Sequence, residues 1–69
     1  MNKRLLKSFM ARFGDTGATL AKALGISETR FSAKINEKNG AEFTKSEIGE
    51  MIERYHLNES DIRNIFFNP

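Results

Sequence analysis

The stretch TGATLAKALGISETRFSAKIN, Thr16 to Asn36, holds two helical patterns joined at one glycine. Leu20, Ala21 and Leu24 recur at helical spacing before Gly25, and Phe31 and Ile35 stand four apart after it. Glycine takes the positive-φ backbone that stops a helix, so the first pattern ends at Gly25. Ile26 then plugs the turn and Ser27 caps a second helix. The second helix buries Phe31 and Ile35 and leaves Glu28, Thr29, Ser32 and Ala33 facing outward. A helix that only fills a core has little need of such a short-chained, hydrogen-bonding outer stripe.

The flanking sequence supplies the rest of a core. Leu5, Leu6, Phe9, Met10 and Phe13 predict a first helix, with Asn2 as cap and Gly14 as terminator. The helix that ends at Gly25 begins at Asp15 or Thr16, weakly, because Gly17 in its first turn adds backbone entropy. Asn36 to Phe43 has no period and reads as a loop that tucks Phe43 back into the core. Thr44 and Glu47 form a capping box for a fourth helix with Ile48, Met51, Ile52 and Tyr55 inward, and Glu50 and Arg54 pair on its outer face. Asn58 caps a fifth helix carrying Ile62, Ile65 and Phe66. The expected fold is all-α, one five-helix domain over residues 1–69.

A chain of 69 residues sits near the lower size limit for one well-buried core. It has no cysteine, which excludes disulfide staples and thiolate metal sites. No apolar run is long enough to span a bilayer, so no membrane partner is expected. The net charge is only +2, but its distribution is uneven. Residues 1–40 carry eight Lys or Arg against three acids, and residues 41–69 carry three against six. The basic half suits a phosphate backbone, and the acidic half faces away from it or toward another protein.

An enzyme is not expected. His56 is the single histidine and reads as surface or turn structure. No histidine pair or Asp-rich loop offers a metal shell, and the dispersed glycines form no phosphate loop. Neither a cofactor nor a small-molecule ligand is implied, so the mechanism is sought in binding.

The Thr16–Asn36 stretch resembles a helix-turn-helix of the phage repressor and Cro type, through the spacing of Leu20, Ala21, Leu24, Gly25, Ile26, Ser27, Phe31 and Ile35. The resemblance implies a lambda-repressor-like fold whose third helix enters the DNA major groove. Glu28, Thr29, Ser32 and Ala33 match the family's base-facing positions. Glu28 has a second reading, as a first-turn acid that stabilises the helix start. Arg30 and Lys38 are the leading phosphate-facing candidates, joined by Lys34, Asn36 and Lys22. Two residues depart from the pattern. Gly17 stands where many members carry glutamine near the DNA backbone. Lys34 stands where the helix pair is often apolar, which suggests a stem over the core edge and an ammonium in solvent or on phosphate.

The function implied is a sequence-specific regulator of transcription, a small Cro-like repressor of phage or prophage type acting in the bacterial cytoplasm. It would occupy double-stranded operator DNA and exclude polymerase. One recognition helix per chain favours a homodimer, for which Ile65, Phe66 and Phe67 are the candidate surface. The same Ile65 and Phe66 can instead close the monomer core. The alternative function is a protein-interaction module, such as an antitoxin-like regulator, that retains the helix pair but turns it toward protein.

Overall fold

The computed structural model describes residues 1–67. Their helices are α1 (Lys3–Arg12), α2 (Gly17–Leu24), α3 (Glu28–Ile35), α4 (Lys45–Tyr55) and α5 (Glu59–Phe66), with a short 3-10 turn at Lys38–Gly40 between α3 and α4. The expectation of an all-α fold of five helices holds, and no strand occurs among the described residues.

Each helix starts on a side chain that satisfies an otherwise unpaired N–H. The Asn2 Oδ1 accepts from the Leu5 N–H at 3.0 Å. Thr16 and Thr19 exchange side-chain and backbone hydrogen bonds at 2.9 and 3.2 Å, so α2 opens after Thr16 despite Gly17. Ser27 Oγ accepts from the Arg30 N–H at 3.1 Å and sets the first residue of α3. Thr44 with Glu47, and Asn58 with Asp61, form reciprocal boxes at the starts of α4 and α5.

The turn between α2 and α3 closes as its glycine predicts. Gly25 has φ +74°, its N–H donates to Lys22 O at 3.1 Å, and the Ile26 N–H reaches back to Ala21 O at 3.0 Å. This pair of bonds satisfies the Ala21 and Lys22 carbonyls in the last turn of α2 and turns the chain directly into the Ser27 cap. At the end of α4, His56 adopts the left-handed conformation, φ +53°, that a glycine would occupy without strain. The lone histidine is therefore a turn residue.

Leu6, Leu20, Met51 and Ile65 are wholly inaccessible to solvent, and Tyr55, Phe31 and Ile35 lie beside them in one core. Phe43 returns to that core as its sequence context suggests and packs on Phe31, with ring centroids 5.8 Å apart. Leu24 and Ile26 are half-buried at its margin.

Two expectations are corrected. Ile65 cannot belong to a dimer surface, because it is fully enclosed in the monomer and its carbonyl accepts from the Asn2 N–H, joining the end of α5 to the start of α1. Phe66 is half-buried, and Phe67 is the exposed member of the trio. Arg54 does not pair with Glu50. It reaches across to Asp15 in the α1–α2 turn, where two parallel N–H bonds of 2.7 Å offer better geometry than one contact along a helix surface.

Candidate functional site

The outer face of α3 follows from Phe31 and Ile35 being buried behind it. Glu28, Thr29 and Ser32 are exposed and Ala33 is half-buried. All four line one shallow concavity of about 610 Å³, which Lys7 of α1, Gly17 at the start of α2, Asn36 and Lys38 also border. The four residues singled out as base-facing are thus brought onto one surface. Glu28 is the one acid among the described residues that line it, so the acids of the second half of the chain stand elsewhere.

The phosphate-facing candidates separate. Lys38 lines the concavity, whereas Arg30 and Lys22 are exposed outside its lining. Lys34 does not reach solvent, contrary to its expected role. Its Nζ donates to both Glu47 carboxylate oxygens, at 2.7 and 2.8 Å, and the residue is 7% exposed. A buried ammonium holding two charged bonds is not free to meet a phosphate. Asn36 is also engaged, since its Nδ2 donates to Ser32 O at 2.9 Å and its Oδ1 accepts from Lys3 Nζ at 2.8 Å. Its amide secures the end of α3 instead of standing open to a phosphate.

Two ionic clusters hold the α2–α3 pair on α4. Asp15, just before α2, accepts from Arg54 and from the Tyr55 hydroxyl at 2.7 Å, and from Thr19 Oγ1 at 2.8 Å. The Arg54 bonds, with those of Tyr55 and Thr19, outweigh burial and hold the Asp15 carboxyl well below the usual carboxylate range. Burial, then the bond to Asp15, pushes the Tyr55 hydroxyl up, which keeps it a donor. The second cluster is Lys34 with Glu47. Burial pushes the Glu47 carboxyl up, but the Lys34 ammonium and the Thr44 N–H prevail, so it too is lowered. One cluster fixes the entrance of α2 and the other fixes α3, leaving the outer face of α3 on a rigid support.

Lys3 and Lys7 of α1 are the cations beside this face that motif reasoning does not find. Their four-residue spacing on one helix is a visible signal, but only the placing of Lys7 on the concavity and of Lys3 on Asn36 gives it meaning.

No helix among the described residues is long and apolar enough to cross a membrane. In class, the molecule is a small all-α protein with a polar helix face held over its core. The sequence model described as "Protein of unknown function (DUF739)" matches residues 3–69, and the chain belongs to that family. No curated protein and no solved structure matches it.

Proposed function

We propose that the protein is a sequence-specific double-stranded DNA-binding regulator in which α2, the Gly25 turn and α3 act as a helix-turn-helix. The observation that carries this reading is the gathering of Glu28, Thr29, Ser32 and Ala33 on one concavity bordered by Lys7 and Lys38. Short polar side chains suit base edges in a major groove, and flanking lysines suit the phosphates on its walls.

In this reading Thr29 and Ser32 hydrogen-bond to base edges, Ala33 packs on a thymine methyl, and Glu28 accepts from cytosine N4. Lys38 contacts phosphate from the loop after α3, with Arg30 and Lys22 on the flanks. Lys34 and Asn36 serve the scaffold. Binding needs no turnover and no cofactor. Occupying an operator and excluding polymerase makes the protein a small Cro-like repressor of phage or prophage type, working in the bacterial cytoplasm. A homodimer would set two such helices on an inverted site, with the exposed Phe67 and half-buried Phe66 at its contact.

Selection of bound duplexes from a random library tests the proposal. Enrichment of a defined motif, with half-sites about one helical turn apart if the protein pairs, is the expected result. Failure to enrich any duplex overturns it in favour of a protein-interaction module.

A further inference from the structure

The part of the α3 concavity that belongs to α1 has no part in a helix-turn-helix as such; Lys7 and Met10 line it, and Lys3 stands outside the lining on Asn36. Lys3 and Lys7 are exposed and four apart on α1, which puts them on one side of that helix. Lys7 borders the concavity directly. Lys3 is tied to α3: its ammonium donates to Asn36 Oδ1 at 2.8 Å, and Asn36 in turn donates to Ser32 O at 2.9 Å. Asn36 and Ser32 both line the same concavity.

We infer that Lys3 and Lys7 form a phosphate-contact line supplied by α1, so that duplex DNA lying against α3 meets its backbone on α1 as well as on the Lys38 loop. The inference rests on the DNA-binding reading above.

The chemistry of the tether supports it. An ammonium carries three N–H donors, and the bond to Asn36 uses one, leaving two for phosphate oxygens. The bond also limits where the long Lys3 side chain can go, so less freedom is lost when a phosphate arrives. Glu28, the acid that lines the concavity, stands in the first turn of α3, about 12 Å along the helix from Asn36 at a rise of about 1.5 Å per residue, while Glu37, beside Asn36 but outside the lining, holds the N-terminal ammonium at 3.0 Å. Lys3 is therefore held at the opposite end of the face from the Glu28 carboxylate. Lys34, nearer in sequence to the base-facing residues than either α1 lysine, is withheld by Glu47. Phosphate contacts from α1, a helix outside the motif, thus add to those of Lys38, Arg30 and Lys22.

The test compares wild type, Lys3→Ala, Lys7→Ala, the double variant and Arg63→Ala on the selected duplex and on a scrambled one, across a salt series. Arg63 is an exposed base of α5 outside the concavity and controls for overall charge. The double variant is expected to bind both duplexes more weakly by similar factors and to lose about 2 from the slope of log affinity against log salt, with Arg63→Ala unchanged. Lys3→Arg with Lys7→Arg should restore the slope. Lys7→Ala alone, which touches no bond made by Lys3, decides the matter if loss of the tether loosens α1; it should lose about 1. A folded double variant that binds the selected duplex with an unchanged slope overturns the α1 line and leaves the proposed function standing. A wild-type protein with no salt-dependent affinity for either duplex overturns both.

Discussion

Lys34 Nζ lies 2.7 and 2.8 Å from the two carboxylate oxygens of Glu47, and Glu47 Oε1 also accepts the Thr44 N–H at 2.9 Å. One carboxylate therefore starts α4 and fastens α3 to it. The pair is nearly closed to solvent, so each charge depends on the other to remain buried.

Removing one partner should expose that dependence. Lys34→Ala is expected to destabilise the protein by about 2 to 3 kcal/mol, because Glu47 would keep its burial and lose its cation. Lys34→Met combined with Glu47→Gln should recover most of this loss, since neither residue then carries a buried charge. Urea unfolding of the three proteins checks both expectations, and a single Lys34→Ala variant as stable as wild type would deny the pair its structural role.

Asp15 gives stability a defined dependence on pH. Its carboxyl titrates lower in the folded chain than its ordinary value of 3.8, so its contribution is complete above that value and is lost as pH falls through it toward the folded one. Wild-type urea midpoints should decline from about pH 5 downward. Asp15→Asn should be less stable at neutral pH and show a shallower decline in acid. Some decline should persist, because Glu47 is lowered in the same sense.

Gly17 is a place where stability can be added. A Cβ there would lie 3.6 Å from Phe31 Cε2, an ordinary van der Waals contact, and the backbone is not in the left-handed region. Gly17→Ala should raise unfolding stability by about 0.4 to 1 kcal/mol through the unfolded chain's entropy. Thermal unfolding would register this, and a fall in stability would mean that the start of α2 needs the missing side chain.

The helix starts are legible in the sequence because capping is local: Asn2, Thr16, Ser27, Thr44 and Asn58 each act on an N–H three residues ahead. The Gly25 turn and the outward face of α3 are legible for the same reason, a short-range pattern with a single geometric solution. Contacts made at long range are not. Lys34 finds Glu47 13 residues on, Lys3 finds Asn36 33 residues on, and Arg54 finds Asp15 39 residues back. An isolated lysine or arginine in a helical pattern reads equally as a solvated charge, a phosphate ligand or half of an ion pair. Only the folded chain, which brings Lys34 to Glu47, Arg54 to Asp15 and Lys7 to the α3 concavity, distinguishes these roles, which is why Lys34 reads as a DNA contact and Lys7 is not singled out.

The most direct measurement is the affinity of Thr29→Ala and Ser32→Ala for the selected duplex and for every single-base variant of it. Both residues are exposed, so the substitutions should change stability by less than about 0.5 kcal/mol. Each should lose discrimination of about 1 kcal/mol at particular base positions, with much less change on random DNA. Equal losses on every duplex, or no loss on any, would contradict base reading by this face of α3.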